Sequence, residues 1–203
     1  MRVEPFDVAR HRDALYTSLH DGGDPSLWDY LPYGPFERNE WDVWFSRSAA
    51  SDDPLFFALV DRDTDAPMGQ ASYLRIEPEH GVIEIGHIAL GPALQRTPSA
   101  TEAIFLMARH AFDDLGYRRL EWKCDAQNAR SRRAAERLGF TFEGVFRQHM
   151  VVKGRNRDSA WFSVIDGEWP TVRAAFESWL AAGNFDADGR QRRSLAAIRA
   201  SLD

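Results

Sequence analysis

The sequence predicts one mixed α/β domain in which an antiparallel meander precedes a β-α-β-α-β segment. Residues 54–90 hold three short apolar segments separated by turns, which is the pattern of a meander. Residues 98–115 follow as a long amphipathic helix, and residues 119–165 alternate between strand and helix composition. The 203 residues fit a single domain, which we place at 1–182, with a polar tail at 183–203 that suits a peripheral helix.

The N-terminal part is predicted to be a short strand at 2–6 followed by helices at 8–20 and 37–50, with a turn at 21–25 between them. The helix at 98–115 has a suitable N-cap in Thr97, a first-turn residue in Pro98 and an ending in Gly116. The meander strands are predicted at 54–60, 68–76 and 82–90. The later elements are a strand at 119–125, a helix at 131–138, strands at 140–147, 149–153 and 157–165, and a helix at 169–180.

Composition and charge argue against several classes of protein. The formal net charge of −6 is unlike that of a nucleic-acid-binding module, which usually has a basic surface. No segment approaches the apolar length of a membrane span or a signal peptide, so we expect a cytoplasmic protein without membrane contact. The single cysteine, Cys124, allows no intramolecular disulfide, and the histidines show no paired ligand spacing, so no metal site is predicted.

Aromatic residues crowd into one early segment, and two interpretations of them remain open. They form a packed helical lid over the core, or some of them line an acceptor pocket, as aromatic side chains often do in small-molecule sites. In the second interpretation Trp28, Tyr30 and Tyr33 bind the acceptor. The aromatic residues of this segment are Trp28, Tyr30, Tyr33, Phe36, Trp41, Trp44 and Phe45.

Segment 84–103 predicts an anion-binding site, because a strand leads through a tight loop into a buried helix. The first N–H groups of a helix lack intrahelical partners, and the helix dipole adds positive charge there. Short side chains at Thr97, Ser99 and Ala100 would let a diphosphate approach the backbone. Arg96 would add a charge-assisted contact.

These motifs, in this order, resemble the GNAT superfamily of N-acetyltransferases. Gln95-Arg96-Thr97-Pro98-Ser99-Ala100 looks like its acetyl-CoA motif, and Asn128-Ala129-Arg130-Ser131 with Glu136-Arg137-Leu138-Gly139-Phe140 looks like its second cofactor motif. Glu143-Gly144-Val145-Phe146-Arg147 and the segment 153–159 are similar to the RimJ/RimL-type branch. The resemblance covers about residues 2–167. It implies a GNAT acyl-CoA N-acyltransferase fold with a V-shaped splay at the cofactor site, and the branch often forms homodimers.

The resemblance also implies direct transfer of an acetyl group from acetyl-CoA to an amine acceptor, either a protein N-terminus or a small amine. It implies a backbone donor for the thioester carbonyl in the strand before the loop, at Ile88, Ala89 and Leu90. The implied cofactor contacts in the loop and the second motif are Gln95, Arg96, Thr97, Ser99, Ala100, Thr101, Asn128 and Ser131. Ser131 matches a serine that protonates the departing thiolate, and the alternative role for Ser131 is N-capping of the 131–138 helix, for which Asn128 would also serve.

Glu84 is the first candidate for the base that deprotonates the amine, because partial burial raises the pKa of a carboxylate in an apolar strand. The alternative is a structural carboxylate that pairs with an arginine. His87 is the second candidate for the base. It lies three residues from Glu84 and is therefore expected on the opposite face of the strand.

Two positions depart from the family pattern. Pro98 stands where the acetyl-CoA motif has its first glycine, which removes one backbone donor and leaves the next three N–H groups free. Met150 stands where the ribosomal-protein branch has a glutamate base, which argues against a ribosomal-protein substrate, and the adjacent His149 is expected on the other face. Two alternatives to an enzyme therefore remain: a non-catalytic acyl-CoA-binding or regulatory module, and a structural dimer scaffold.

Overall fold

The computed structural model describes residues 1–21 and 24–202, so the centre of the turn predicted at 21–25 lies outside the described residues. Within them the chain forms seven strands and six α-helices, with 3-10 turns at Pro25–Trp28 and Ala182–Asn184. The strands are β1 Arg2–Pro5, β2 Leu55–Val60, β3 Pro67–Glu77, β4 Val82–Leu90, β5 Arg119–Asp125, β6 Thr141–Val152 and β7 Arg155–Ile165. The helices are α1 Val8–His20, α2 Arg38–Ala49, α3 Pro98–Arg109, α4 Ala129–Leu138, α5 Trp169–Leu180 and α6 Leu195–Arg199.

The strands form one mixed sheet in the order β1-β2-β3-β4-β5-β7-β6. β4 and β5 pair in parallel, because the crossover through α3 brings the chain back in the same direction. The other neighbouring strands pair antiparallel, and β2, β3 and β4 form the predicted meander. The predicted fold, a mixed α/β sheet with a meander followed by a β-α-β-α-β segment, is confirmed.

Helices cover both faces of the sheet and thereby define two sides of the molecule. On the face that we call the α1/α2 face, buried residues of the two helices and of β2 include Leu15, Leu19, Trp41, Phe45, Phe56, Ala58 and Val60. On the opposite α3/α5 face, the main core includes Ile83, Ile85, Met107, Leu120, Phe162 and Phe176. Since side chains alternate along a strand, Ile83 and Ile85 in the main core place Glu84 on the α1/α2 face.

Two predicted boundaries were wrong. The helix predicted at 98–115 is α-helical only to Arg109 and continues as a single π-helical turn, His110–Asp114. The separate strands predicted at 140–147 and 149–153 are one strand, β6. A bulge replaces the predicted break, because the register with β7 shifts between Phe146 and Met150 and Gln148 has a φ of +50°.

The C-terminal residues pack against α5 rather than extending from it. Leu195 and Ile198 of α6 are buried in the main core. Gln191 accepts a hydrogen bond of 2.7 Å from the Trp179 indole N–H, and the buried Asn184 amide donates to the Trp179 carbonyl at 3.1 Å. Among the described helices, none is both long enough and apolar enough to cross a membrane.

Gly91 opens the loop between β4 and α3 at a point where the backbone packs closely against α1. A Cβ atom there would lie 2.5 Å from Ser18 Oγ, 2.7 Å from the Ser18 carbonyl oxygen and 2.8 Å from the Met68 carbonyl oxygen. We expect Gly91→Ala to lower the free energy of unfolding by about 2 kcal/mol, because overpacking forces the backbone to move.

Chemical denaturation measures this difference. Gly183→Ala is the matched control, since nothing lies within 4 Å of its Cβ position, and its effect should stay within about 0.5 kcal/mol. Equal stabilities for the two variants would contradict the close packing at Gly91.

Candidate active site

The most distinctive feature of the sheet is a gap between β4 and β5. The two strands pair only from Val82–Ile85 against Arg119–Trp122, whereas β4 continues to Leu90 and β5 to Asp125. A bulge in β4 falls where the strands separate: the register with β3 shifts between Gln70 and Ser72, and His87 has a φ of +52°. Because a bulge bends the strand that carries it, β4 leaves β5 here and the predicted V-shaped splay is confirmed.

The bulge also overturns the expected direction of His87. The His87 ring lies on the α1/α2 face, where its Nδ1 is 3.0 Å from the Tyr33 hydroxyl and its ring centroid is 5.2 Å from that of Phe56. Glu84 lies on the same face, so the prediction that the two side chains point to opposite faces was wrong. Simple alternation fails because the left-handed residue adds one position to the strand.

His87 is held in its neutral form. Burial and the nearby charges of Lys123 and Arg157 lower its pKa to about 4. The Tyr33 ring stacks on the imidazole at an interplanar angle of 7°. The Gln70 side-chain amide donates to the Tyr33 hydroxyl at 3.1 Å, so tyrosine and imidazole are both fixed in orientation. The His87 ring beside the gap is therefore uncharged and fixed in orientation.

Glu84 is a buried carboxylate held by two cations. Its side chain is 2% exposed, and its Oε2 lies 3.1 Å from Lys123 Nζ and 3.5 Å from Arg75 Nε. Burial raises the pKa of Glu84, and the charges of Lys123 and Arg75 oppose that rise. The arrangement combines the two interpretations of Glu84, because the carboxylate pairs with an arginine and its pKa is nevertheless raised by burial.

The three aromatic residues predicted to bind the acceptor lie in different environments. Trp28 is 2% exposed and packs edge-to-face on Phe36, which fits the packed-lid interpretation. Tyr30 is exposed, and its hydroxyl donates to the Gln127 carbonyl at 3.4 Å. Tyr33 contacts two other predicted site residues, Trp28 at a ring-centroid distance of 6.4 Å and His87 at 5.4 Å. A cavity of about 290 Å³ opens beside the Tyr33–His87 pair and is lined by Tyr33, Trp44, Arg47, Ser48, Ser51, Pro54, Phe56 and His87.

The N-terminus of α3 begins as predicted, with Thr97 as N-cap and Pro98 as the first helical residue. The cap has a consequence that the sequence analysis missed. Thr97 Oγ1 accepts the Ala100 N–H at 3.2 Å, so the expectation that this N–H is free was wrong. Ser99 N–H has no acceptor among the described residues, as expected for the second residue of a helix.

Two further loop residues make internal contacts. The Gln95 side-chain amide donates to the Leu90 carbonyl at 2.8 Å, which ties the loop to the end of β4. The Thr101 hydroxyl, buried in the first turns of α3, accepts from the Arg137 guanidinium at 3.1 Å. Arg96 has a φ of +60°, and its side chain is exposed beside the loop. Among these side chains, that of Arg96 is therefore accessible to an anion.

The register of β4 directs one backbone N–H into the gap. Gly91 N–H donates to the Met68 carbonyl at 2.8 Å, and Leu90 stands opposite Gly69. In an antiparallel ladder this makes Leu90 and Gly69 a non-hydrogen-bonded pair, whose own N–H and C=O groups point away from each other. Leu90 N–H therefore points away from β3, towards the side where β5 has separated.

On the opposite edge of the gap, α4 positions Ser131 over β5. Asn128 is the N-cap of α4, since its Oδ1 accepts the Ser131 N–H at 3.0 Å. Of the two capping candidates, the structure selects Asn128. The Ser131 hydroxyl accepts the Trp122 indole N–H at 3.0 Å, so its own hydrogen stays available for donation. Burial raises the pKa of the neighbouring Cys124 thiol, which keeps it protonated.

Sequence reasoning missed the cations that surround Glu84. Lys123 follows the last β4–β5 pair, and its ammonium lies 4.9 Å from the centre of the Trp161 ring. A compositional signal was present, because the chain has only two lysines, Lys123 and Lys153, among its many arginines. His149 also lies on this face, hydrogen-bonded to Ser159 Oγ at 2.9 Å, so its expected direction was wrong because of the β6 bulge.

Comparison with known proteins agrees with this architecture. The chain belongs to the GNAT acetyltransferase family, since the model of the acetyltransferase (GNAT) domain matches residues 2–141. A crystal structure of a GCN5-related N-acetyltransferase from Brucella melitensis is 48% identical, with a TM-score of 0.95 over 98% of this chain and 90% of that chain.

Curated relatives match over a shorter stretch. The uncharacterized N-acetyltransferase p20 of Bacillus licheniformis is 30% identical over 56% of this chain and 63% of its own length. The uncharacterized N-acetyltransferase YoaA of Bacillus subtilis (strain 168) is 30% identical over 54% of this chain and 61% of its own length. The chain thus spans about three-fifths of the length of these curated relatives.

The second lysine, Lys153, connects the β6–β7 hairpin to the segment 28–34 beside the site. Lys153, at the tip of the β6–β7 hairpin, donates to the Trp28 carbonyl at 2.7 Å and to the Gly34 carbonyl at 2.6 Å. These bonds tie the hairpin to the segment 28–34, which carries Tyr33. Lys153→Met should speed amide hydrogen exchange of that segment about tenfold, because hydrogen bonds to a charged donor contribute roughly 1.5 kcal/mol or more.

Hydrogen-exchange mass spectrometry provides the measurement, and Arg155→Met is the control, an exposed cation two residues further along the same hairpin. If segment 28–34 exchanges at the wild-type rate in both variants, the Lys153 hydrogen bonds do not stabilise this segment.

Proposed function

We propose that the protein is an acetyl-CoA-dependent N-acetyltransferase that moves an acetyl group directly to a primary amine. The observation that carries the proposal is the gap between β4 and β5 with the buried, cation-paired Glu84 one residue before the strands separate. Membership of the GNAT acetyltransferase family supports this class of reaction.

The residues around the gap are suited to bind acetyl-CoA, the donor of the acetyl group. Acetyl-CoA supplies an activated thioester on a long arm that ends in a diphosphate. Ser99 N–H at the start of α3 and the Arg96 side chain would hold the diphosphate, helped by the helix dipole. Leu90 N–H, directed away from β3, would donate to the thioester carbonyl as negative charge grows on its oxygen.

Glu84 is the proposed base. An aliphatic amine is mostly protonated at pH 7, so the site must remove a proton before the nitrogen can attack. Burial raises the pKa of Glu84, and the charges of Lys123 and Arg75 oppose that rise. His87, with a pKa of about 4, is a weaker base and is proposed to orient the acceptor through its fixed ring.

Ser131 is proposed to complete the reaction. The amine nitrogen forms a bond to the acetyl carbon, the carbon–sulfur bond breaks, and the sulfur leaves with the electron pair. The Ser131 hydroxyl hydrogen, which the Trp122 indole leaves unused, would then protonate the thiolate. The second proton that the nitrogen loses as the amide forms would restore the serine hydroxyl. Asn128 would fix the cofactor arm with its amide nitrogen while its oxygen caps α4.

The RimJ/RimL-type branch is the finer assignment that we propose. The motif from Lys153 to Ser159 supports it, and so does the long β6–β7 hairpin that carries this motif. Met150, at the position of the glutamate base of the ribosomal-protein members, is 40% exposed and has no proton-accepting group. The base in this chain is therefore proposed on β4 rather than on β6.

The pH dependence of kcat/KM tests Glu84. Activity should rise with pH as Glu84 loses its proton, and Glu84→Gln should lower kcat by about 100-fold or more because a general base is lost. Arg75→Gln removes a positive charge 3.5 Å from the carboxylate, which raises the pKa of Glu84. The acidic limb of the profile should therefore move to higher pH by about 1 unit.

The Arg75→Gln variant distinguishes Glu84 from His87 as the base. Arg75 contributes to the pKa of Glu84, whereas the shift of His87 arises from burial, Lys123 and Arg157. An acidic limb that stays in place in Arg75→Gln would argue against Glu84 as the base.

Thiol release tests Ser131. Ser131→Ala should lower kcat by about 100-fold with little change in the KM for acetyl-CoA, because only proton donation to sulfur is lost. The cap of α4 persists in this variant, since Asn128 accepts the backbone N–H. Asn128→Ala is the comparison that removes the cap, and a loss of stability confined to Ser131→Ala would show that Ser131 is structural instead.

A further inference from the structure

Among the described residues, Arg157 lacks an ion-pair partner, in contrast to three other cations on the α1/α2 face. Arg119, Arg75 and Lys123 each form ion pairs with Glu84, Glu121 or Glu143. Arg157 forms no ion pair with any described residue, and its Nε is buried without a hydrogen-bond partner. Arg157 as a whole is half-buried, so the unpartnered atom is its Nε. A buried polar atom without a hydrogen-bond partner is costly, which marks this guanidinium as open to a ligand.

Arg157 borders the gap. The pairing of β7 with β5 ends where Ser159 faces Asp125, so Arg157 lies beyond the last residue of β5. Its side chain is on the α1/α2 face, because it alternates in step with Ser159 and Trp161. On this face His149 bonds to Ser159. Arg157 thus stands on the same side of the sheet as the proposed base, where β4 and β5 are furthest from pairing.

Four more buried polar atoms on this face lack a hydrogen-bond partner among the described residues. Two are the carboxylate oxygens Glu84 Oε2 and Glu121 Oε2, which lie within ion-pair distance of cations, and the other two belong to neutral side chains. The Trp161 indole N–H has no acceptor, and Gln70 Oε1 has no donor. The Trp161 ring lies between the proposed base and Arg157 along the sheet, since Lys123 and Arg75 lie over it at 4.9 and 5.1 Å from its centre. Buried polar groups are rarely left unpaired, so these atoms mark a polar ligand site.

The charge balance of the face indicates what that ligand carries. Three carboxylates, Glu84, Glu121 and Glu143, are matched by the three paired cations. His87 is neutral, and the pKa of His149 is also lowered, by burial and by neighbouring cations. None of these carboxylates pairs with Arg157, and its planar guanidinium suits a carboxylate in geometry.

We propose that Arg157 binds a carboxylate of the acceptor, so that the acceptor is an amine that also carries a nearby carboxylate, as in a free amino acid. This inference rests on the proposed function and narrows its substrate class. The amine would lie towards Glu84 and the carboxylate towards Arg157, across the Trp161 ring. A protein N-terminus or a polyamine has no carboxylate beside the amine and would leave Arg157 unpaired.

Matched acceptors test the inference. Free amino acids and their carboxamides differ in the group that would meet Arg157 and in the pKa of the amine. Thiol release from acetyl-CoA reports transfer to either, and the rates are compared per concentration of unprotonated amine. The wild type should prefer the free acids by about 10- to 100-fold in kcat/KM, as expected for a charged hydrogen bond. Arg157→Gln should abolish this preference by raising the KM of the acids, with a much smaller effect on transfer to the carboxamides.

Two further variants serve as controls. Arg157→Lys should restore part of the preference, because it keeps the charge but not the planar fork. Arg155→Gln, an exposed arginine two residues earlier on β7, should keep the wild-type preference. Thermal unfolding of each variant shows whether it is folded.

The outcomes separate this inference from the proposed function. Transfer to carboxamides and simple amines without preference for the acids, or equal losses on both in Arg157→Gln, overturns the inference alone. Acetyl transfer to none of the amines overturns the proposed function and the inference with it.

Discussion

The separation of β4 from β5 is the constraint on which the rest of the site depends. A parallel pair that closed along its whole length would bury the Leu90 N–H and leave no opening in the sheet. The bulge at His87 bends β4 away after Ile85 and Trp122 have paired. That one irregularity opens the gap and directs the imidazole to the α1/α2 face. It also leaves Glu84 at the apex, where the two strands still hold it in place.

Charge balance follows from this geometry. Strands β3, β4 and β5 bring Arg75 and Lys123 up to the buried Glu84, whose charge is tolerable because it faces two opposite ones. Burial, together with the charges of Lys123 and Arg157, lowers the pKa of both nearby histidines. The α1/α2 face is thus apolar under its two helices and polar over β5 and β7, where Arg157 has no ion pair with a described residue. The amine of a substrate would lie towards Glu84, and its carboxylate would lie towards Arg157.

The sequence predicted the elements well wherever a local pattern decides the structure. Val82–Leu90 alternates polar and apolar residues, and its bounds were predicted correctly; Thr97 and Pro98 begin α3 as expected. The sequence did not reveal the left-handed residues His87 and Gln148, because neither is a glycine and only pairing with a neighbouring strand makes a bulge. Side-chain directions beyond each bulge were therefore wrong. The partners of Glu84 were missed because they lie on other strands, whose register no local pattern gives.

Amide hydrogen exchange of Leu90, followed by NMR with and without acetyl-CoA, tests the central claim most directly. Leu90 N–H points away from β3, whereas Gly91 N–H is already bonded to Met68 and serves as an internal reference. If the gap receives the thioester arm, exchange at Leu90 slows when acetyl-CoA is bound while exchange at Gly91 stays the same. Unchanged exchange at Leu90 in a protein saturated with acetyl-CoA would contradict the account.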